Sequence, residues 1–387
     1  MHFELSREHE MLRNAVREFA RKRIAPHADE WDRNHYLPVR EVLKPMADLG
    51  FFGAVIPEEY GGDNMGWLAA SIITEEVARA SSSLRVQMNL IMIGCAFPIL
   101  RYGTEEARKK YIPKLVAGDY LGGFAITEPN AGSDVMSIET LAEDHGDHFV
   151  LNGQKTWISN ANQADVLIVY AYTDREKRGK GLSAFIVEPK TMNGISTTDL
   201  DKMGSHSSPT GEVFFENTRV PRENLLGEPG DGARIVFASL GNTRLSAAAG
   251  AVGCAQACLD QAVKYCNERV QFGQPVGRFQ MNQDLIAQMA VEVEAARLLV
   301  YRAAWQKDQG QMENGYEVAM AKYFAGEAAM KCASFAMRIL GAYGYSTEYP
   351  VARYYRDIPT YVIVEGSSNI CKQIIAMDRL GYRKASK

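Results

Sequence analysis

The chain has 387 residues, of which 46% are hydrophobic and 23% charged, and its 43 Lys and Arg against 47 Asp and Glu give a formal net charge of -4. This composition is typical of a globular protein with an ample core. Basic residues occur only in short runs such as residues 21–23, so the sequence excludes the extended positive surface on which nucleic-acid binding depends.

The six cysteines lie in apolar or helical segments without a C-x-x-C pair, which predicts buried free thiols in a reducing compartment. His145 and His148 share a polar turn, but no further His or Cys pair accompanies them, which predicts no metal site. The start of the chain lacks the features of a secretory signal, and no apolar run approaches the roughly 18 residues that span a bilayer. The sequence therefore predicts a cytoplasmic protein without a membrane span.

The first third of the chain predicts helices. Ser6 is the expected cap of a first amphipathic helix, which Pro26 should end, and a second helix should end at Gly50. The segment Ser81–Leu100 is nearly apolar on all sides, which predicts a helix buried inside the protein. Thr104 is the expected cap of a further amphipathic helix.

From about Leu121 the pattern changes to short β-type runs, and Asn152-Gly153 between two of them predicts a hairpin. Short strands at this spacing predict a barrel or a sandwich. Helical periodicity returns from Ala233. The predicted strands are residues 123–127, 149–151, 155–159, 166–172, 182–187 and 212–215. The predicted domains are residues 1–120, 121–231 and 232–387.

Several common nucleotide and nucleophile motifs are missing. Gly230 and Gly232 begin a dinucleotide-like pattern, but Ile235 occupies its third glycine position and no βαβ unit surrounds it, which excludes a nicotinamide site of that kind. The sequence also contains no phosphate-binding G-x-x-x-x-G-K-[ST] loop and no G-x-S-x-G elbow for a serine nucleophile.

Three groups of motifs occur in order along the chain and together resemble the acyl-CoA dehydrogenase family. The resemblance covers essentially the whole chain. It implies a mainly α protein with an N-terminal helical domain, a central β-barrel and a C-terminal four-helix-bundle domain. The motifs are residues 126–134 (ITEPNAGSD) with 153–160 (GQKTWISN), residues 268–280 (ERVQFGQPVGRFQ), and residues 339–345 (ILGAYGY) with 348–350, 356–357 and 365–370 (EGSSNI).

The resemblance implies FAD as cofactor. The small residues after Thr127 and the aromatic wall of Trp157 suit a flat polar ring, although a tryptophan packed inside a barrel would fit that residue alone about equally well. By resemblance, the cofactor-binding residues are Phe124, Ile126, Thr127, Gly132, Ser133, Trp157, Ile158, Ser159, Arg269, Phe272, Gln280, Ile339, Leu340, Gly341, Gly344, Ser367 and Asn369.

Three of these residues, Arg269, Phe272 and Gln280, correspond to family positions that reach the FAD of a neighbouring subunit. The resemblance therefore implies a homotetramer, a dimer of dimers. The alternative for Arg269 is a salt bridge with Glu268 or Asp260. For the loop from Gly341, which by resemblance covers one end of FAD, the alternative is a glycine helix cap.

Glu365 is the predicted catalytic residue. It follows the apolar run 361–364 and precedes a Gly-Ser-Ser turn, and partial desolvation there should raise its pKa toward that of a general base. By resemblance it removes the α-proton of an acyl-CoA thioester. The alternative is a glutamate that stabilises a helix N-terminus. Thr243 occupies the position of the base in some relatives and cannot serve as one.

The acyl group is indicated by Arg85, the only charged residue between Arg79 and Arg101. A buried guanidinium needs an anion, and glutaryl-CoA dehydrogenases place an arginine in this region to hold a distal carboxylate. The alternative is a pair with Glu75 or Glu76. The predicted substrate-binding residues are Arg85, Asn89, Ser133, Asn242, Thr243, Arg244, Tyr361, Val364, Glu365 and Gly366.

Val364 replaces the tyrosine that decarboxylating glutaryl-CoA enzymes carry beside the base. The sequence therefore most resembles the non-decarboxylating glutaryl-CoA dehydrogenases of anaerobic bacteria, which form glutaconyl-CoA and pass electrons to an electron-transfer flavoprotein. The alternatives within the family are a cyclohexane- or cyclohexenecarbonyl-CoA dehydrogenase, a short-chain butyryl-type dehydrogenase, and an oxidase that donates to O2. Outside the class, the alternative is a non-catalytic helical binding protein.

Overall fold

The computed structural model describes residues 4–382. Residues 1–3 and 383–387, which form the outer ends of the first and last predicted domains, lie outside the described residues. Along the described chain, helices are followed by a sheet and then by helices again. All six cysteines are buried and free of disulfide bonds, as predicted.

The N-terminal part is helical, and Ser6 caps the first helix by accepting the N–H of His9 at 3.3 Å. The prediction that Pro26 ends this helix is wrong. A π-helical turn at Ala20–Ile24 leads directly into a second helix, and Pro26 lies in its first turn, where the missing N–H matters little. The helices are α1 (Arg7–Phe19), α2 (Ala25–Arg33), α3 (Val39–Ala47), α4 (Trp67–Ala80), α5 (Ser82–Asn89), α6 (Phe97–Tyr102) and α7 (Glu105–Val116).

Helices α5 and α6 are joined by a second π-helical turn, Leu90–Ala96, so that residues 82–102 form one continuous and mostly buried helical segment, as predicted. It has 21 residues, and its most apolar 18-residue window has a mean hydropathy of 1.4, so by length and composition alone it could cross a membrane. The prediction that no apolar run approaches this length is therefore wrong. Because 89% of its most apolar window is buried inside the protein, it is weak evidence for a span.

The middle part contains one open sheet rather than the predicted closed barrel. The strand order is β6-β7-β3-β2-β4-β5-β8, with β1 beside β4, and the end strands β6 and β8 do not pair. Strands β4 and β5 are buried on both faces because alternate residues contact the helices, which explains their continuous apolar sequence. The strands are β1 (Gly122–Ala125), β2 (Leu141–Asp144), β3 (His148–Ser159), β4 (Val166–Tyr172), β5 (Leu182–Val187), β6 (Ile195–Asp199), β7 (Thr210–Pro221) and β8 (Leu225–Leu226).

The predicted hairpin at Asn152-Gly153 is also wrong, since both residues lie inside the continuous strand β3. The pairing of β3 with β7 shifts register between Leu151 and Gly153, which marks a β-bulge. Gly153 has φ +148°, and a Cβ there would lie 2.6 Å from the hydroxyl of Thr140. Asn152 bonds the backbone N–H of Asn217 on β7 at 2.8 Å. The Asn-Gly pair therefore serves a bulge instead of a turn.

The C-terminal part is again helical. The long helices α8, α9 and α10 pack against one another, α14 packs on α10, and α8 also contacts α4 and α5. A short β-ribbon joins α8 to α9. The elements are α8 (Gly232–Glu268), β9 (Val270–Gln271), β10 (Gln274–Pro275), α9 (Gln280–Asp308), α10 (Gly315–Leu340), α11 (Ala342–Tyr345), α12 (Pro350–Asp357), α13 (Thr360–Ile363) and α14 (Ser368–Arg379).

The last residue of α9 connects the two helical parts, because Asp308 accepts the backbone N–H groups of Trp67 at 2.6 Å and Leu68 at 3.0 Å. We expect Asp308→Ala to lower the free energy of unfolding by about 1 to 2 kcal/mol, since it removes a charged cap from the N-terminus of α4. Denaturant unfolding of the holoprotein measures the loss. Asp48→Ala is the control, because this exposed residue forms a local ion pair with Lys44 four residues before it. Equal losses in the two variants would contradict the capping role.

Candidate active site

A buried ion pair joins the loop after β1 to strand β3. The Lys155 ammonium lies 2.6 Å from the Glu128 carboxylate and 3.3 Å from the carbonyl oxygen of Ile126. Glu128 also accepts the hydroxyl of Thr140 at 2.6 Å. Burial lowers the pKa of Lys155 to about 8, although Glu128 opposes this shift. Burial alone would raise the pKa of Glu128, but Lys155 and the hydrogen bonds hold it below its usual value.

This ion pair fixes the segment that carries Trp157. The register of β3 against β7 shifts between Lys155 and Ile158, and Trp157 between them has φ +59°. Ile158 is buried, whereas Trp157 is 58% exposed. The alternative of a tryptophan packed inside the sheet is therefore wrong. An exposed aromatic ring beside the β1 loop, which is held by a 2.9 Å bond from Thr156 to the carbonyl of Thr127, suits a flat ligand.

Other predicted cofactor residues of the middle part lie on β1 and in the loop that follows it. Phe124 packs edge-on against Tyr170, at 5.3 Å between centroids. Gly132 and Ser133 are exposed in the loop, and a Cβ at Gly132 would meet no atom within 4 Å. An open loop of small residues beside an exposed aromatic ring fits the isoalloxazine of FAD.

Three further predicted cofactor residues lie between the end of α8 and the start of α9: Arg269 directly after α8, Phe272 between β9 and β10, and Gln280 at the start of α9. Phe272 is 94% exposed with φ +50°, and Arg269 and Gln280 are exposed beside it. Within the described chain, the ring of Phe272 contacts only the edge of the Phe279 ring, at 6.0 Å between centroids. These three residues are therefore left largely uncovered by the described chain.

Neither alternative ion pair of Arg269 is present in the described part of the chain. Its guanidinium lies over the ring of Tyr343, 5.6 Å from the centroid, while Asp260 accepts Arg79 at 2.7 Å. Gly341 ends α10 and donates its N–H to the carbonyl of Met337 at 3.0 Å, so the helix-cap alternative is correct for this residue. Ile339, Leu340 and Gly344 are buried next to it.

Two cations, the buried Lys322 and the partly buried Arg244, hold the backbone at Glu365. The Nε of Arg244 donates to the carbonyl oxygen of Glu365 at 2.9 Å, and the ammonium of Lys322 donates to the carbonyl of Gly366. Glu365 and Gly366 have φ +57° and +86°, which for a glutamate is a strained conformation that costs about 1 to 3 kcal/mol. Ser367 then caps α14, with Asn369 exposed in its first turn.

The two cations have no carboxylate in hydrogen-bonding contact among residues 4–382, and burial lowers the pKa of both Arg244 and Lys322. The charge of Glu365 opposes that shift. Glu365 itself is half-buried, next to Val364, which is 37% exposed. Sequence reasoning missed Lys322. Its isolation in the apolar run 318–326 is the same signal that indicated Arg85.

Arg85 is 2% exposed, and its guanidinium lies over the ring of Tyr361, 5.1 Å from the centroid. Its Nε has no hydrogen-bond partner in the described chain, and neither has the side-chain oxygen of Asn89 one turn later. The alternative partners of Arg85 are wrong, because Glu75 and Glu76 are bound instead by arginines of α9 and α1. A buried cation thus lies without a carboxylate.

Tyr361 connects these two clusters. It is 1% exposed, its hydroxyl lies 3.0 Å from that of Ser82 on α5, and it precedes Glu365 by four residues. Asn242 and Thr243 are buried on α8, and the Thr243 hydroxyl bonds the carbonyl of its own helix. Helices α5 and α8 and the segment 361–366 therefore meet at one site.

The end of β3 is linked to the same place. The side chain of Asn160 donates to Gln87 of α5 at 2.7 Å and to the carbonyl of Gly122 at 2.8 Å. The strand that carries Trp157 is thereby joined to the helix that carries Arg85. Among residues 4–382, no group of three or more His, Cys, Asp or Glu side chains is arranged to hold a metal ion.

This fold and site define a flavoenzyme with a sheet between two helical parts. Sequence models of the acyl-CoA dehydrogenase N-terminal, middle and C-terminal domains match residues 6–119, 123–218 and 230–380. The chain belongs to the acyl-CoA dehydrogenase family. It is an FAD-dependent oxidoreductase that dehydrogenates acyl-CoA.

Individual relatives are similar over full length. A glutaryl-CoA dehydrogenase of Desulfococcus multivorans is 66% identical, with 100% of both chains covered. A solved glutaryl-coenzyme A dehydrogenase glutaryl-CoA complex superposes with a TM-score of 0.99 at 66% identity, covering 100% of this chain and 98% of that one. A chain in a structure described as the electron transferring flavoprotein of Acidaminococcus fermentans gives 0.95 at 39% identity, covering 98% and 100%.

We expect Lys155→Met to lower the FAD content of the purified protein and its free energy of unfolding, the latter by about 3 to 5 kcal/mol, because Glu128 is left buried without its cation. FAD absorbance per chain after gel filtration and denaturant unfolding measure the two effects. The double variant Glu128→Gln/Lys155→Met should recover much of both. Lys190→Met, which breaks a half-exposed pair with Asp165, is the control. A single variant no worse than this control would contradict the role of the buried pair.

Proposed function

We propose that this enzyme converts glutaryl-CoA to glutaconyl-CoA without releasing CO2, with Glu365 as the base. The observation that carries the proposal is Arg85, a buried cation on an apolar helix for which no carboxylate partner exists in the described chain. The full-length relative whose name is glutaryl-CoA dehydrogenase supports the same substrate.

The energetics of Arg85 favour an anionic ligand. A guanidinium removed from water without an ion pair costs several kcal/mol, which contact with the ring of Tyr361 offsets only in part. The monothioester of a five-carbon dicarboxylic acid keeps a free carboxylate at the end remote from CoA, and this group would neutralise Arg85. A butyryl group would leave the cost in place. The substrate preference follows from this difference.

Glu365 is proposed to remove the α-proton of the thioester. When bound, FAD accepts the hydride that leaves the β-carbon. Arg244 and Lys322 hold the backbone at residues 365–366, so that the carboxylate and the N–H of Glu365 keep fixed positions. By family resemblance, that N–H donates to the thioester carbonyl, which develops negative charge as the proton leaves.

Val364 supports the outcome without decarboxylation. It lies directly before the base, is partly exposed, and offers no hydroxyl at a position where decarboxylating relatives carry a tyrosine. A glutaconyl intermediate would therefore lack that polar group beside its reacting carbons. The wider apolar space that valine leaves is also the feature that would suit a cyclic acyl group.

We further propose a homotetramer in which a neighbouring subunit completes the FAD-binding site with its Arg269, Phe272 and Gln280. The exposure of Phe272 supports this proposal, as do Val291, Leu298 and Trp305, which are spaced seven residues apart on one exposed face of α9.

Three further properties are part of the proposed function. The domains end at residues 120 and 231, the enzyme is cytoplasmic, and its electron acceptor is an electron-transfer flavoprotein. The buried free cysteines support a reducing compartment, and the Acidaminococcus match supports the acceptor.

We expect Glu365→Gln to retain FAD and to lose substrate-dependent bleaching of the flavin by at least about 10³-fold, because the amide cannot take the α-proton. Anaerobic stopped-flow absorbance with glutaryl-CoA measures the rate. Glu348→Gln, which changes an exposed glutamate, is the control. Bleaching that survives in Glu365→Gln would exclude Glu365 as the base.

We expect Arg85→Ala to lower kcat/KM for glutaryl-CoA by about 10²-fold or more relative to butyryl-CoA, since the lost group is charged and buried. Arg101→Ala, at the exposed end of the same helical segment, is the control. Cyclohexanecarbonyl-CoA is tested as a third substrate, and the products formed from glutaryl-CoA are analysed for glutaconyl-CoA, crotonyl-CoA and CO2. Equal losses of kcat/KM for glutaryl-CoA and butyryl-CoA would exclude the role of Arg85 in binding a carboxylate.

Two further outcomes concern the reaction itself. Release of CO2 would exclude the non-decarboxylating assignment, and rapid formation of peroxide would indicate an oxidase.

A further inference from the structure

We propose that Ser246 of α8 is a third protein group for the distal carboxylate of the substrate, opposite Asn89 and next to Arg85. This inference rests on the proposed function, because it assumes that the acyl chain ends at Arg85. It adds a binding residue from a different helix, which the sequence motifs do not indicate.

The first observation is the hydroxyl of Ser246, which is buried and has no hydrogen-bond partner in the described chain. A serine inside a helix ordinarily bonds the carbonyl four residues before it. Ser71 and Thr74 of α4 do so, at 2.9 Å and 2.7 Å. Ser246 does not. A buried hydroxyl without a partner indicates a ligand that satisfies it when bound.

The second observation is the position of Ser246 along α8, relative to Arg85 of α5. The thiol of Cys254 contacts the carbonyl oxygen of Ala78 at 3.5 Å, and a Cβ on Gly250 would lie 3.0 Å from the Nε of Arg85. Gly250 of α8 thus lies against the guanidinium of Arg85. Ser246 lies one turn earlier on the same face of α8, next to this contact.

The proposal brings together three buried polar atoms that each lack a partner in the described chain: the Nε of Arg85, the side-chain oxygen of Asn89 and the hydroxyl of Ser246. If the two neutral side chains were in contact, they would bond each other. Since Asn89 and Ser246 do not bond each other, the bound carboxylate is proposed to bridge them. A guanidinium, a hydroxyl and an amide can all donate to a carboxylate, whereas an alkyl end would leave all three unsatisfied.

Gly250 keeps this space open. A Cβ there would lie 3.0 Å from both the Nε of Arg85 and the hydroxyl of Tyr361, closer than side chains normally approach. Any larger residue would displace the guanidinium by a few tenths of an ångström. Gly241 on the same helix has nothing within 4 Å of such a Cβ. Both glycines lie on α8, but only at Gly250 would an added Cβ contact other residues, so Gly241 is a matched control.

The test compares Ser246→Ala with the wild-type holoenzyme. We expect the ratio of kcat/KM for glutaryl-CoA to that for butyryl-CoA to fall about 10-fold, the usual effect of one hydrogen bond to a charged group. The affinity for glutaryl-CoA, measured by calorimetry with Ser246→Ala placed in the non-reacting Glu365→Gln enzyme, should fall by a similar factor. Ser71→Ala, which removes a satisfied buried hydroxyl, is the control and should not change the ratio.

Gly250→Ala provides a second measurement. It should also lower the glutaryl-CoA to butyryl-CoA ratio, whereas Gly241→Ala should not. In an Arg85→Ala background, Gly250→Ala should lower the ratio less than it does in the wild-type enzyme, because only the contact with Tyr361 remains. A merely structural role of Gly250 would instead lower both activities in either background.

The outcomes separate this inference from the function on which it rests. If Arg85→Ala is selective for glutaryl-CoA but Ser246→Ala changes neither the ratio nor the affinity, the role of Ser246 is wrong and the proposed substrate stands. Equal losses with both substrates in Ser246→Ala would also overturn it. If Arg85→Ala itself is not selective, the proposed substrate is wrong.

Discussion

Two cations, the partly buried Arg244 on α8 and the buried Lys322 on α10, hold the carbonyl oxygens of Glu365 and Gly366 in a left-handed turn that a glutamate would otherwise avoid. Because these cations bond the backbone, they leave the carboxylate of Glu365 free for chemistry. The turn also fixes where α13 ends and α14 begins, and thereby sets the position of Tyr361 against α5. The geometry of the proposed base and that of the acyl pocket thus depend on the same constraint.

Charges in apolar surroundings follow one physical rule throughout the molecule. Lys155 is paired with Glu128 inside the middle part, where the pair joins a loop to a strand. Arg244 and Lys322 are satisfied by carbonyl oxygens. Arg85 alone among these four lacks both a carboxylate and a carbonyl partner in the described chain. Since burial of an unpaired charge is costly, the exception indicates the position of a ligand.

Sequence patterns predicted helices and strands well where the interaction lies within one turn of the chain. They failed where contact with another segment determines the local conformation. Ser6 caps α1 as expected. Pro26, which should have ended that helix, is accommodated because a π-helical turn places it at the start of α2. Asn152-Gly153 favours a hairpin by itself, but pairing with β7 stabilises the straight strand with a bulge. The prediction of a closed barrel failed for a similar reason, since the spacing of strands along the sequence does not show which edge strands pair with each other.

The sequence by itself determined the order of helical and β segments, the family, and the isolation of Arg85 and Glu365 among apolar residues, because these are properties of neighbours along the chain. Only the tertiary structure decided which buried groups are satisfied. It assigned Glu75 and Glu76 to other arginines, exposed Trp157, and brought Lys322 to the turn at Gly366. Hydrogen bonds and ion pairs between distant segments depend on packing in three dimensions, which local sequence patterns do not specify.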